Sequence, residues 1–390
     1  VVRRAGSEPK VSAPVRAVRL VLSEFRSYSA LALEVGAGLV ALCGENGAGK
    51  TNLLEALSLL TPGRGLRRAE LAQMIREGAA SGFAVSVDLE GPFGEVRLGV
   101  GAERPALDEP LQRRALIDRA PVSSVAAFAE HVRVVWLTPD LDGLFRGAAG
   151  ERRRFLDRLV LAVDPGHAAR TSALERALRS RNRLLEDERP DPAWLDAIER
   201  EIVETGVAVA SARRETVDRL SALIAAGRDD ASPFPFARLT LKGEIDDLVA
   251  ALPALEAEER YKVLLREGRG RDRAAGRTLT GPQASDLEVW HGPKDMPAAQ
   301  GSTGEQKALL VGLVLAHARL VATMSGLAPL VLLDEIAAHL DPRRRAALYD
   351  TLAGLGCQVW MSGADAALFD DLPAGAALLA VTPGRVARAR

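Results

Sequence analysis

Hydrophobic and polar positions along the chain change period several times, and each change marks an element. Residues 15–22 alternate as a half-buried strand does, and 30–35 alternate again after a turn at 23–28. The apolar run 38–43 reads as a third strand, and 52–60 follow a helical spacing. A basic glycine-rich loop occupies 62–68, and a short helix is expected over 69–77. Alternation at 84–89 and 95–100 predicts a β-lobe, expected to continue through 132–137 until Thr138-Pro139-Asp140 breaks the run.

The middle of the chain has a helical texture. Residues 146–157 open a helix that carries Arg152, Arg153 and Arg154 in a row. From 166 to 226 apolar residues recur at helical spacing, interrupted at Pro190 and Pro192, which predicts two long antiparallel helices. They are too short and irregular for an extended coiled coil. A further helical pair over 245–266 precedes Gly268-Arg269-Gly270-Arg271-Asp272-Arg273, expected as a flexible basic linker. Strands and helices alternate again in the last third, with a helix over 308–324 and apolar strands at 329–335 and 359–362. The expected division is a loose tail at 1–14, half of a head with a β-lobe at 15–160, a helical arm or lid at 161–270 and the rest of the head at 271–390.

Composition narrows the class. A chain of 390 residues, 47% hydrophobic and 26% charged, suits a globular protein of two or three lobes. Apolar runs are broken by charge or glycine before the ~18–20 residues of a membrane span, so no membrane association is expected. The first residues carry arginines without an apolar stretch, so they read as a tail and the expected location is the cytoplasm. Cys43 and Cys357 both sit in apolar strand-like runs, which speaks against a disulfide or metal framework.

Two stretches carry chemistry. Gly44-Glu45-Asn46-Gly47-Ala48-Gly49-Lys50-Thr51 lies between a strand and a helix, the context a phosphate loop requires: glycines let backbone N–H groups turn inward, and the helix N-terminus adds a positive dipole end. Lys50 would reach the β- and γ-phosphates of ATP, and the Thr51 hydroxyl would ligate Mg²⁺. The second stretch, Leu330 to Glu335, is an apolar strand ending in two carboxylates, expected beside the phosphate loop in a parallel sheet. Asp334 would hold Mg²⁺ through its water shell, and Glu335 would polarise the attacking water. Leu340-Asp341-Pro342 supplies another acid in a turn, and Ser302-Thr303-Gly304-Glu305 opens a long helix as a second anion-binding start. One ATP cannot easily use two such starts from one subunit, whereas in a two-fold dimer each could reach the γ-phosphate on the partner's loop.

This order of motifs resembles the ABC-type ATPase heads, and within them the chain resembles the RecF family, of the same class as the SMC and Rad50 heads. The likeness is carried by Phe25-Arg26-Ser27-Tyr28, residues 44–52, 63–67, 152–157 and 178–185, Trp194, Gly281-Pro282, Asp286-Leu287, 302–306, and 333–335 through Leu340-Asp341. It implies an α/β ABC-type P-loop head with a β-lobe and a helical insertion. Implied nucleotide contacts are Gly44, Asn46, Gly47, Gly49, Lys50, Thr51, Asn52, Ser302, Gly304 and Asp341, with Lys50 and Glu335 catalytic and Thr51 and Asp334 on the metal. It further implies ATP-dependent dimerisation on duplex, gapped or junction DNA, weak DNA-dependent ATPase activity, work with RecO and RecR in loading RecA, and roles in replication and the SOS response. The chain departs from the family at Gln283-Ala284, where a histidine and a basic residue are usual. It also carries Ser362 where transporter ATPases have a switch histidine.

The net charge of −1 announces no nucleic-acid partner. The clusters at Arg64, Arg67 and Arg68, at 152–154 and at 269–277 either neutralise phosphates or form solvated faces and internal ion pairs. Aromatic residues are few and not interleaved with them, which disfavours a base-stacking platform for single strands and suits a clamp on duplex backbone. The rival readings are an ATPase coupled to a protein partner, such as a transporter or nuclease, and a non-hydrolysing structural clamp. The presence of Lys50, Thr51, Asp334 and Glu335 argues against the last.

Overall fold

A computed structural model describes residues 13–103, 110–229 and 232–389, with backbone alone at 338 and 339. In chain order the first elements are β1 (Arg16–Phe25), β2 (Tyr28–Glu34), β3 (Leu39–Cys43), α1 (Lys50–Ser58), α2 (Leu71–Met74), β4 (Gly82–Gly91), β5 (Gly94–Glu103), β6 (Arg114–Ile117), β7 (Ala120–Val122) and β8 (Val134–Leu137). There follow α3 (Ala149–Val163), α4 (His167–Glu186), α5 (Pro192–Ala226), β9 (Ala237–Lys242), α6 (Glu244–Ala251), α7 (Ala254–Ala275), β10 (Asp286–His291) and β11 (Met296–Pro297). The last are α8 (Thr303–Ser325), β12 (Leu330–Leu333), α9 (Pro342–Ala353), β13 (Val359–Gly363), β14 (Ala377–Thr382) and β15 (Arg385–Arg388). They form two compact units, one of the chain up to Asp142 with 231–234 and Thr303 onward, the other of 143–230 and 235–302.

The first unit contains two six-stranded sheets. One runs β15-β14-β3-β13-β12-β8, parallel throughout except for the final hairpin. Its strands β3, β8, β12 and β13 are buried at every position, the signature of a sheet covered on both faces. The other sheet, β2-β1-β4-β5-β6-β7, is antiparallel and alternates buried with exposed residues. Leu53, Leu54 and Leu57 of α1 join both sheets in one core with Leu20, Leu22, Val85, Leu98, Leu332 and Trp360.

Several local expectations change. Residues 134–137 do not continue the β-lobe: as β8 they pair in parallel with β12, because a run buried on both faces cannot serve a half-exposed antiparallel sheet. The helix expected over 69–77 shrinks to Leu71–Met74, since Ile75 bridges back to Phe25. By length and composition alone α8 is long and apolar enough to cross a membrane, even though Gly312 and Arg319 interrupt its apolar run. Two thirds of its apolar window is buried within the protein, as suits a core helix. Of the expected tail, residues 1–12 lie outside the described residues, while Ala13 bonds to the backbone at Gly326 and Ala328.

The second unit packs α4, α5, α6 and α7 around Leu174, Leu178, Ile202, Val207, Ile245, Tyr261 and Leu265. The chain breaks between α4 and α5 where the prolines stand. Asp191 caps α5 by accepting from Ala193 N–H, and Pro192 takes the first helical position, where its missing N–H is no loss. The stretch 268–273, expected as a linker, is helical and belongs to α7, which ends at Gly276 with φ +64°. Its glycines weaken the helix locally, but tertiary ion pairs outweigh that. Asp272 accepts from the buried Arg181 at 2.7 Å, and Arg269 reaches Glu199 and Asp196. This unit also holds the antiparallel sheet β11-β10-β9, which the hydrophobic pattern had not resolved.

Candidate nucleotide site

The phosphate-loop stretch leaves the end of β3 and enters α1, as its sequence context requires. Gly44, Gly47 and Gly49 all have positive φ (155°, 85° and 109°), conformations that glycine adopts without strain. At Gly44 a Cβ would collide with the Val381 carbonyl, and at Gly49 it would lie 2.8 Å from both Ser27 Oγ and Tyr28 Oη. At Gly47 it would meet nothing, so the loop is open on that side. Lys50 is buried, and its ammonium donates to the carbonyls of Gly44 (2.6 Å) and Glu45 (2.9 Å). Asn46 is exposed on the loop.

The strand carrying Asp334 and Glu335 is not the immediate neighbour of β3, because β13 runs between them. The tips nevertheless meet. Thr51 Oγ1 lies 3.0 Å from both carboxylate oxygens of Asp334. From the intervening strand, Ser362 donates its hydroxyl to Asp334 Oδ1 at 2.6 Å and accepts from the Glu335 amide at 2.9 Å. Glu335 itself has a left-handed backbone, φ +50°. Among the described residues no group of three or more His, Cys, Asp or Glu could hold a metal ion unaided. One hydroxyl and one carboxylate beside a phosphate loop suit instead a hard cation that keeps waters and takes oxygens from a phosphate, as Mg²⁺ does.

A second layer stands behind the loop, and its role was not apparent in the sequence. The Phe25-Arg26-Ser27-Tyr28 turn clamps α1: Tyr28 Oη donates to the Gly49 carbonyl at 3.2 Å, and Ser27 Oγ accepts from Asn52 at 2.8 Å. Asn52 also accepts from Arg67, so both ends of its amide are engaged within this layer. The fully buried Glu55 receives a two-pronged contact from Arg26, at 2.6 and 2.8 Å. At the other end of α1, Arg113 donates to the carbonyls of Leu59, Thr61 and Gly63, and burial pulls its guanidinium down to about 10.

In the signature stretch Ser302 is the last residue of the second unit along the chain, and Gly304 falls in the first turn of α8, which belongs to the first unit. Both are exposed. Arg146 donates to the carbonyls of Ala299 and Gly301 just before Ser302, and the buried Lys307 pairs with Asp142 at 3.3 Å. Asp341 caps α9 by accepting from the Arg344 amide. Gln283, at the position of the family's usual histidine, donates to the Thr278 and Thr280 carbonyls.

Most of the arginine clusters are engaged internally. Arg152 forms a two-pronged pair with Asp286, at 2.7 and 2.8 Å, which holds that carboxyl below the usual range. Arg153 donates to the Ser285 carbonyl, Arg269 pairs with Glu199 and Asp196, and Arg271 donates to Thr280.

Residues 19–81 match a family model described as an AAA domain. The DNA replication and repair protein RecF of Rhizobium meliloti (strain 1021) is 55% identical over 368 residues, covering 94% of this chain and 97% of that protein. The RecF of Mesorhizobium japonicum is 54% identical, covering 94% and 96%. The chain belongs to the RecF family. A solved structure of the recombination mediator protein RecF-ATPrS in the RecFOR pathway superposes with a TM-score of 0.85 at 19% identity, over 98% of this chain and 100% of that one. An Smc head bound to the C-winged helix domain of ScpA gives 0.55 at 16% identity, over 95% and 97%. Those likenesses are of fold, and the fold is an ABC-type ATPase head with an antiparallel β-lobe and a helical unit.

Proposed function

We propose that this RecF-family chain is an ATP-dependent DNA-binding clamp of recombinational repair, which closes as a homodimer on gapped or junction DNA and helps RecO and RecR load RecA. It would support replication and the SOS response from the cytoplasm. The observation that carries the nucleotide part is the meeting of Thr51, Asp334, Ser362 and Glu335 beside the glycine loop and Lys50. Bound Mg²⁺ and ATP supply charge neutralisation along the phosphates and the bond to be cleaved. Backbone N–H groups of Gly47 and Gly49 would hold phosphate oxygens, Lys50 would bind the β- and γ-phosphates, and Thr51 with Asp334 would hold the cation. Glu335 accepts a hydrogen bond from the attacking water. The exposed Ser302 and Gly304 reach the nucleotide of a second copy, and Asp341 lies at that same interface. Contacts present only in the closed dimer make hydrolysis a switch. The helical unit is the arm or lid.

Sedimentation with and without Mg²⁺-ATP and a short gapped duplex tests this reading. A shift from monomer to dimer that retains DNA is expected, and Ser302→Arg should abolish the shift while nucleotide binding to the monomer persists. Nucleotide binding with no change of mass and no DNA retention would instead favour an ATPase coupled to a protein partner. The internal engagement of Arg152, Arg153 and Arg269 lends that second reading some support.

A further inference from the structure

Ser362 is fully buried near the end of β13, one strand away from both β3 and β12. Its hydroxyl has one hydrogen to give, and the Glu335 amide can only donate, so the hydrogen goes to Asp334 and an oxygen lone pair receives the amide. One side chain therefore holds both the Asp334 carboxylate and the backbone amide of Glu335. The arrangement also concerns strain. Glu335 is not glycine, yet it has φ +50° and ψ 29°, a left-handed backbone that is strained for a side-chain-bearing residue and persists only where its surroundings impose it. The Ser362 bond falls on that peptide, while the Asp334 amide is held from the other side by the Leu137 carbonyl of β8 at 2.9 Å.

We infer that Ser362 is a positioning residue for ATP hydrolysis: it turns the Asp334 carboxylate toward Thr51 and fixes the peptide from which the Glu335 side chain departs. This rests on the nucleotide reading above. A serine that merely satisfied a buried strand would leave the cation requirement untouched when replaced, whereas a positioning serine would not. Groups that orient a metal-holding side chain typically matter by about 10–100-fold in affinity or activity.

The test compares the parent chain with Ser362→Ala, Ser362→Cys and Ser362→Thr, using a ribose-labelled fluorescent ATP in Mg²⁺ and in EDTA, turnover, and melting temperature. Alanine and cysteine variants should bind nucleotide in EDTA as the parent does, yet lose about tenfold or more of both the Mg²⁺-dependent gain in affinity and the turnover. Threonine, which keeps the hydroxyl, should recover both. An alanine or cysteine variant with parental melting, Mg²⁺ requirement and turnover overturns the inference alone. So does a parallel loss of melting temperature in both, which would mark the hydroxyl as a determinant of the fold, or a well-folded threonine variant that fails to recover. A parent that shows no Mg²⁺-dependent nucleotide binding overturns the nucleotide reading, and this inference with it.

Discussion

Two buried charged residues of the helical unit show how differently single residues are accommodated. Arg181 has no exposed surface, but it donates to Glu199, Asp272, Thr278 and the Leu265 carbonyl, so each arm of its guanidinium has a partner. Removing it leaves Asp272 buried without its cation, while Glu199 keeps only Arg269 among the described residues. Arg181→Met should therefore destabilise the chain by about 3–5 kcal/mol, read as a lower urea midpoint. Asp246 is the opposite case. Its Oδ2 meets the Ser285 hydroxyl, its Oδ1 has no hydrogen-bond partner among the described residues, and burial pushes its carboxyl above its ordinary value, although the Ser285 bond and then Arg213 partly offset this. Below the ordinary carboxylate range the side chain is protonated whether the chain is folded or not, and no penalty arises. As pH rises from there through the raised folded value, the unfolded chain gives up the proton first, so stability falls. Asp246→Asn should accordingly melt with the parent at about pH 2.5, below the ordinary aspartate value, and above the parent at about pH 8; a parental melting profile at both would show that the aspartate is accommodated as a charge.

At the scale of elements, hydrophobic period marks the strands and helices that build the candidate nucleotide site, because the glycine loop, its helix and the acid-tipped strand are each written in consecutive residues. What period could not supply was partnership at long range. Ser362 reads as one more small residue in an apolar strand, and its partners lie 27 and 28 positions away. The stretch 268–273 looked like a linker since two glycines and three arginines are intrinsically poor grounds for a buried helix. Arg181, 91 residues from Asp272, reverses that preference. Residues 134–137 join a different sheet from the expected one for a related reason, as a short apolar run does not reveal which edge it joins. The same helix yields a prediction. Gly270 lies inside α7, and a Cβ there would meet nothing within 4 Å, so its conformational freedom has no visible use in the fold. Gly270→Ala should stabilise the chain by roughly 0.5–1 kcal/mol in urea unfolding, chiefly by restricting the unfolded state. A loss of stability would indicate that the residue faces something beyond the described chain.

For the whole molecule the governing fact is balance: 51 basic residues against 52 acidic ones. A clamp on duplex DNA must then draw its phosphate contacts from a local subset of arginines, and internal pairing narrows that subset. Arg152, Arg153, Arg269 and Arg271 have partners within the helical unit, and Arg67 is engaged by Asn52 and lies 3.7 Å from Glu55. By contrast Arg64, Arg273 and Arg277 are exposed, with side chains unpaired among the described residues. On the clamp reading, the two groups should separate when mutated. Arg152→Gln leaves Asp286 without its cation and should lower the melting temperature. The glutamine variants of Arg64, Arg273 and Arg277 should keep the parental melting temperature but weaken duplex binding across sequences. Each lost phosphate contact should also flatten the dependence of log affinity on log salt by about 0.9. If all three exposed variants retain the parental slope while the chain still binds duplex, DNA is held elsewhere. If the slope is already near zero in the parent, a backbone-tracking clamp is the wrong description.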